Sequence, residues 1–153
     1  MTSEIDANLA RLGITIPTAA APAANYVPYV KSGNLLFTSG QLPLKDGALF
    51  ATGQVGAALD VEAGQQAAMW CAVNVLAQAK AALGDLSAIK RLVKITVFVS
   101  STTDFTEQHI VANGASNFFV DVLGDAGRHA RSAVGMPVLP LNAPVEVEAV
   151  IEI

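Results

Sequence analysis

The C-terminal stretch of the chain most limits what it can fold into. From Val145 to Ile153 apolar residues occupy every second position, and Glu146, Glu148 and Glu152 lie between them. Because successive side chains of a strand point to opposite faces, this spacing predicts a β-strand with one apolar and one acidic face. Three carboxylates cannot lie beneath an apolar helix, so we expect the acidic face to meet solvent, a subunit boundary or a site.

A single arginine upstream of this strand suggests chemistry. Arg131 begins a shorter apolar run, and a proline-rich segment from 137 to 144 separates the two runs. We therefore expect a hairpin that brings Arg131 beside Glu146. A guanidinium can hold a carboxylate through two parallel hydrogen bonds, and a neighbouring carboxylate can orient water or pass a proton. A structural ion pair is the other interpretation of the same two residues, and we weigh it above the functional one on these residues alone.

The first third of the chain alternates between helical, irregular and strand patterns. Residues 3–12 predict a short amphipathic helix with Ser3 as its N-cap and Gly13 as the residue that ends it. The Ala- and Pro-rich segment 17–25 is expected to be an extended connector. Residues 26–50 predict an antiparallel meander, since they contain an Asp-Gly pair that favours a hairpin turn.

The remainder predicts two long helices that alternate with strands. A helix is expected from Asp60 to Leu83, and a strand over residues 92–100. A second helix follows, for which Asp104 is the expected N-cap. The order of strands, helix, strand, helix and strands indicates an α+β fold in which two helices cover one face of a mixed sheet.

The composition of the chain predicts that it associates with other subunits. Hydrophobic residues make up 52% of the chain and charged residues 14%, against about a quarter charged in typical soluble domains. There is too little charge to cover an isolated monomer, so we expect a buried subunit interface. The 153 residues suit one domain, 1–153, with residues 1–16 as a helical extension.

Charge and residue counts argue against several classes of protein. A net charge of −4 with nine scattered Lys and Arg residues is unlike a dedicated nucleic-acid binder. One cysteine, Cys71, allows no internal disulfide, and two histidines without ligand spacing give no metal motif. The acidic start and the absence of an apolar run of about 18 residues predict a cytoplasmic protein that does not enter a membrane.

Four blocks of residues, taken together, resemble a known family. They are Ala21-Pro22-Ala23-Ala24 with Pro28-Tyr29, Phe37-Thr38-Ser39-Gly40-Gln41-Leu42-Pro43, Val93-Lys94-Ile95-Thr96-Val97-Phe98-Val99, and Ala130-Arg131-Ser132-Ala133-Val134 with Val145-Glu146-Val147-Glu148-Ala149. Because these blocks occur in the family's order, the chain resembles the YjgF/RidA family. The resemblance implies a chorismate-mutase-like fold, a homotrimer with sites in the clefts between subunits, and hydrolysis of enamines and imines such as 2-aminoacrylate to 2-oxo acids and ammonia.

The resemblance also implies roles for single residues. Arg131 matches the family arginine that holds the substrate carboxylate, and Glu146 matches the acid that orients the attacking water. Tyr29 matches a site tyrosine, and Ser39 and Gly40 match a segment that lines the same pocket. An imine carbon is already electrophilic, so a placed water, a proton source and a carboxylate clamp suffice without metal or organic cofactor.

Three further positions depart from the pattern or fit it loosely. Ala133 stands where the deaminase branch usually has cysteine, and His129 stands where it has proline. His129 could act as an acid or base near neutral pH, or it could be a loop histidine in solvent. Asn113 is a candidate for the family's site asparagine. These departures predict a separate subgroup whose pocket accepts a different ligand.

Three functions from different classes therefore follow from the sequence. The first is an enamine/imine deaminase, which Arg131, Glu146, Tyr29 and Ser39 favour together. The second is a non-catalytic trimer that binds a small carboxylic acid. The third is the ribonuclease activity attributed to some relatives, which ranks last because the acidic balance repels phosphates.

Overall fold

The computed structural model describes residues 3–153 of the chain. Its helices are α1 (Glu4–Leu12), α2 (Val61–Leu83) and α3 (Gln108–Leu123). Its strands are β1 (Tyr29–Ser32), β2 (Leu35–Thr38), β3 (Leu44–Lys45), β4 (Ala48–Leu49), β5 (Arg91–Ser100), β6 (Ala130–Met136) and β7 (Val145–Glu152).

Five of the strands form one mixed sheet in the order β1-β2-β7-β5-β6. Neighbouring strands are antiparallel except β5 and β6, which are parallel. A parallel pair needs a long crossover, and α3 supplies it. Helices α2 and α3 pack against each other and cover one face of this sheet, where the apolar side of β7 is buried. The predicted α+β arrangement is confirmed.

The ends of α1 and α2 follow from local capping. The Ser3 hydroxyl accepts a hydrogen bond from the Asp6 N–H, and the Asp6 carboxylate accepts one from the Ser3 N–H, which completes a capping box. Gly13 ends the helix with a φ of 70°, a conformation that favours glycine. Asp60 caps α2 by accepting from the Ala63 N–H at 2.8 Å. The expected bounds of both helices are confirmed.

The N-terminal helix α1 packs against the rest of the protein through a buried leucine and a side-chain hydrogen bond. Leu9 is buried, and the Asn8 side-chain amide donates to the Val122 carbonyl near the end of α3 at 3.0 Å. α1 therefore covers the end of α3.

Two expectations for the loops are wrong. Asp104 does not cap α3, because a turn in which the Phe105 N–H donates to the Thr102 carbonyl precedes the helix, which begins at Gln108. Residues 26–50 do not form one meander. β1 and β2 join the large sheet, whereas β3 and β4 form a separate hairpin around the expected Asp46-Gly47 turn.

The predicted hairpin between Arg131 and Glu146 is also wrong. Both β6 and β7 pair with β5, which lies between them, and the segment from 137 to 144 crosses over that strand. Arg131 is opposite Ile95, which faces the helices, whereas Glu146 is opposite Phe98 on the other face. Within one chain, the two residues therefore lie on opposite faces of the sheet.

A close crossing of the two long helices fixes where α3 lies. A Cβ atom added at Gly114 of α3 would lie 1.9 Å from the backbone oxygen of Gln65 in α2. The Gln65 side chain donates to the Ile110 carbonyl of α3 at 2.9 Å across the same crossing. Only glycine permits this approach, and α3 carries several of the residues described below.

The second face of the large sheet is both apolar and acidic. Val30, Phe37 and Val134 are exposed by 51%, 41% and 38% of their surface. Glu146, Glu148 and Glu152 lie on the same face, as the sequence predicts, since the alternate residues of β7 are buried under the helices. None of the helices within residues 3–153 has the length and apolar character needed to cross a bilayer.

Candidate functional site

Arg131 lies at the outer edge of the sheet and is held against α3. Its Nη1 donates to the Asn113 Oδ1 at 2.9 Å and to the Ser116 Oγ at 3.1 Å. Its Nη2 donates to the His109 carbonyl at 3.1 Å. Asn113 and Ser116 are neighbours on one face of α3 because they are three residues apart. The structure thus brings the predicted Asn113 to Arg131.

The guanidinium has neutral partners only. Among residues 3–153 the one ion pair joins Arg128 to Asp125, and Arg131 contacts no carboxylate. Three of its five N–H groups are engaged, which leaves Nε–H and one Nη2–H. Two donors are the number that a carboxylate accepts from a guanidinium bidentately. The site therefore offers an uncompensated positive charge with a suitable fork.

His129 is not a free loop side chain. Its Nδ1 lies 2.6 Å from the Gly127 carbonyl oxygen, and its Nε2 lies 2.9 Å from the Ser116 Oγ. The edge of its ring meets Phe119, with ring centroids 6.1 Å apart. Because both nitrogens have partners within the chain, the expectation that His129 points into solvent is wrong.

Ala133 lies two residues further along β6 on the same face as Arg131. It is opposite Val97 and packs, half-buried, against the core. We refer to Arg131, Asn113, Ser116, His129 and Ala133 as the arginine group.

Glu146 belongs to a second group on the other face of the sheet. A Cβ atom added at Gly40 would lie 2.8 Å from the Cδ and 3.0 Å from the Oε1 of Glu146. The Glu146 side chain therefore occupies the space that a side chain at position 40 would need. The next residue, Gln41, exchanges two backbone hydrogen bonds with Val147, which fixes this approach.

The environment of Glu146 favours its protonated form. Burial raises the pKa of its carboxyl above the ordinary value, and the negative charge of Glu148 on the same face raises it further. No side chain or N–H within residues 3–153 donates a hydrogen bond to this carboxylate. It is therefore free to bond a ligand or a water molecule.

Ser39 directly precedes Gly40, whereas Tyr29 is opposite the buried Thr38 and therefore faces the helices. The Ser39 hydroxyl donates to the Val27 carbonyl at 2.7 Å and its N–H donates to the Pro28 carbonyl at 2.9 Å. These bonds hold the segment that leads into Tyr29, which is half-buried against the core. We refer to Ser39, Gly40 and Glu146 as the glutamate group.

A small cavity adjoins the glutamate group. Its volume is about 110 Å³, and its lining includes Pro28, Gly40, Gln41 and Tyr26. That volume suits a few heavy atoms rather than a nucleotide, since sites for larger ligands are several times bigger. In residues 3–153, no three His, Cys, Asp or Glu side chains come close enough together to share a metal ion.

Sequence reasoning missed Ser116, which joins Arg131 to His129. The spacing of His109, Asn113 and Ser116 by four and three residues was a usable signal, because such residues share one helix face. The pattern could not reveal that this face turns toward β6. A glycine in the interior of a helix, here Gly114, likewise signals a packing role that was overlooked.

Comparison with known proteins places the chain among relatives of the same architecture. A family model described as "YjgF/chorismate_mutase-like, putative endoribonuclease" matches residues 6–153. The chain is similar to Protein TCP17 of Trypanosoma cruzi, with 55% identity over 99% of this chain and 96% of that protein.

Two further matches extend this comparison. The crystal structure of the protein Atu1372 of unknown function from Agrobacterium tumefaciens has a TM-score of 0.93 and 56% identity, covering 98% of this chain and 92% of that one. The 2-iminobutanoate/2-iminopropanoate deaminase of Escherichia coli strain K12 is 36% identical over 89% of this chain and 94% of that protein. The resemblance seen in the sequence is confirmed, and the chain belongs to the YjgF/RidA family.

Proposed function

We propose that this protein hydrolyses small 2-imino acids, such as 2-iminopropanoate formed from 2-aminoacrylate, to 2-oxo acids and ammonia. The observation that carries the proposal is the Arg131 guanidinium, which has neutral partners and two N–H donors without an acceptor among residues 3–153. A small carboxylate supplies the missing charge and the missing acceptors. The 36% identical deaminase of Escherichia coli supports the same reaction class.

The proposed site is shared between two copies of the chain. Arg131 and Glu146 lie on opposite faces of one sheet, so one chain cannot place both against a small substrate. The exposed Val30, Phe37 and Val134 on the acidic face provide apolar surface that a second copy would bury. We infer a homotrimer in which the arginine group of one subunit meets the glutamate group of its neighbour.

The chemistry needs few groups. Arg131 holds the substrate carboxylate, and the Glu146 carboxylate orients a water molecule against the imine carbon. The water oxygen bonds to that carbon while one water proton passes to Glu146, which delivers the same proton to the imine nitrogen and so forms a carbinolamine. Glu146 then takes the hydroxyl proton of the carbinolamine and returns it to the nitrogen, the C=O bond forms, the C–N bond breaks, and ammonia leaves. The products are a 2-oxo acid and ammonia.

Turnover of a freshly generated imine tests the proposal. A pyridoxal-dependent dehydratase acting on serine or threonine supplies 2-aminoacrylate or 2-iminobutanoate, and the appearance of the 2-oxo acid is followed with and without this protein. We expect the protein to accelerate that release. Binding of 2-oxobutanoate in calorimetry without any acceleration would instead identify a non-catalytic binder of carboxylic acids.

Replacement of Glu146 by glutamine separates its catalytic and structural effects. The carboxylate must be ionised to take a proton, so we expect wild-type kcat/KM to fall as pH decreases through the raised pKa of Glu146. In Glu146→Gln this fall of kcat/KM at low pH should disappear. At pH 7.5 its kcat/KM should be roughly 100-fold lower than that of the wild type. This is near the smallest loss expected on removal of a general base, because glutamine can still hydrogen-bond water.

The same variant should be more stable than the wild type at neutral pH. A carboxyl whose pKa is raised on folding contributes most to stability at low pH, and that contribution is lost as pH rises through the raised pKa. Glu146→Gln should therefore have the higher Tm at pH 7.5, and the difference should vanish near pH 4. An equal Tm at both pH values would contradict the assigned environment.

A further inference from the structure

The hydrogen bonds of Arg131 continue to a side chain that the proposed reaction does not use. Arg131 Nη1 donates to the Ser116 Oγ at 3.1 Å, and that hydroxyl lies 2.9 Å from the Nε2 of His129. His129 Nδ1 in turn lies 2.6 Å from the Gly127 carbonyl oxygen. An unbroken series of hydrogen bonds therefore runs from the Gly127 carbonyl through His129 and Ser116 to the guanidinium.

For a neutral imidazole, the donors and acceptors of this series fit in one way. A carbonyl oxygen can only accept, so the Nδ1 of His129 carries the proton and its Nε2 is an acceptor. The Ser116 O–H then donates to that Nε2, which turns the lone pairs of the hydroxyl oxygen toward the Arg131 N–H. The direction of the Ser116 hydroxyl is thus set by His129.

The imidazole itself has little freedom to move. Both of its nitrogens are engaged, and its edge meets the Phe119 ring at an interplanar angle of 76°. Phe119 is fully buried in the core between α3 and the sheet. The series is therefore anchored in the rigid part of the molecule at one end and reaches the site at the other.

We propose that His129, acting through Ser116, is a positioning residue that holds the Arg131 guanidinium ready for a substrate carboxylate. This inference rests on the proposed function. Asn113 and Ser116 together take both Nη1 protons, which fixes the plane of the guanidinium and leaves Nε–H and one Nη2–H for the ligand. A fork that is already ordered loses less side-chain entropy on binding, so it binds more tightly.

Variants at both positions test this role by turnover of 2-iminopropanoate. His129→Phe keeps the ring against Phe119 but removes both nitrogens, and Ser116→Ala removes the hydroxyl. Each should lower kcat/KM roughly tenfold, mainly by raising KM, because Ser116→Ala loses the hydrogen bond to the guanidinium and His129→Phe leaves the Ser116 hydroxyl that makes this bond without a fixed direction. Ser116→Thr keeps a hydroxyl, so its kcat/KM should be close to that of the wild type. Asn117→Ala, an exposed neighbour on α3, is the matched control and should be unchanged.

The double variant His129→Phe/Ser116→Ala shows whether His129 acts through Ser116 or affects the site independently. If His129 acts through Ser116, the combined variant should lose about the same tenfold as either single variant, whereas independent effects would multiply to roughly a hundredfold. In parallel, the ring ¹⁵N shifts of the neutral His129 imidazole should show the proton on Nδ1 and a bare Nε2. A multiplied loss or a proton on Nε2 of the neutral ring would overturn the inference.

The outcomes also separate this inference from the proposed function. Wild-type turnover that both single variants retain in full would overturn the role of His129 and leave the deaminase assignment standing. A wild-type protein that neither hydrolyses 2-iminopropanoate nor binds 2-oxobutanoate would remove the proposed function, and this inference with it.

Discussion

Arg131→Ala should lower kcat/KM for 2-iminopropanoate roughly 1000-fold, which corresponds to about 4 kcal/mol of lost transition-state stabilisation. Alanine removes the charge and the two donors offered to the substrate carboxylate, and charge-assisted hydrogen bonds are each worth about 1.5 to 3 kcal/mol. The measurement is initial rates of 2-oxo acid release with an imine generated in the assay. The fold should be kept, because Arg131 is only half-buried and has neutral partners.

Two further variants show whether charge or geometry matters. Arg131→Lys keeps the positive charge but not the planar fork, so its loss should be intermediate. Arg128→Ala removes an arginine of the preceding turn whose side chain is 73% exposed and pairs with the exposed Asp125. It should retain wild-type turnover. Full activity in Arg131→Ala would contradict the proposed role of the guanidinium.

Gly114→Ala should reduce the free energy of unfolding by about 3 kcal/mol or more, although alanine is the better helix former by about 1 kcal/mol. The added Cβ would lie 1.9 Å from the Gln65 oxygen, 2.6 Å from its carbonyl carbon and 2.8 Å from its Cα. A backbone obstacle cannot rotate away, so α2 and α3 must separate. For a chain of this length we expect Tm to fall by roughly 6 to 12 °C.

The exposed face of the same helix provides the control. Asn117 is exposed, so the free energy of unfolding of Asn117→Ala should stay within about 0.5 kcal/mol of the wild type. An unchanged Tm for Gly114→Ala in thermal unfolding would show that the two helices are less closely packed than described.

The parts of the fold predicted correctly from the sequence depend on neighbours along the chain. Ser3 and Gly13 around α1, and Asp60 with Gly84 around α2, satisfy the free backbone groups at the helix ends through contacts a few residues away. The alternation in β7 is equally local, since one buried face suffices to impose it. Such features can be predicted from the sequence because they do not depend on residues far away along the chain.

The parts predicted wrongly depend on which distant elements meet. The proline-rich segment between β6 and β7 resembles a hairpin connection, but α3 makes β6 return parallel to β5 and so excludes β7 from that edge. The side of α3 that faces β6 is likewise set by packing, with Phe119 buried in the core and Gly114 against α2. For this reason the family resemblance suggests Asn113 as a site residue, whereas the helix spacing that includes Ser116 does not show that this face of α3 turns toward β6.

The placement of Arg131 and Glu146 on opposite faces of one sheet has a genetic consequence under the proposed assembly. Two inactive alleles, one lacking the arginine and one lacking the glutamate, would complement each other when their products co-assemble. In trimers assembled at random from equal amounts of both chains, about a quarter of the subunit interfaces would join an intact arginine to an intact glutamate. Neither allele would behave as a simple loss of function in a cell that expresses both.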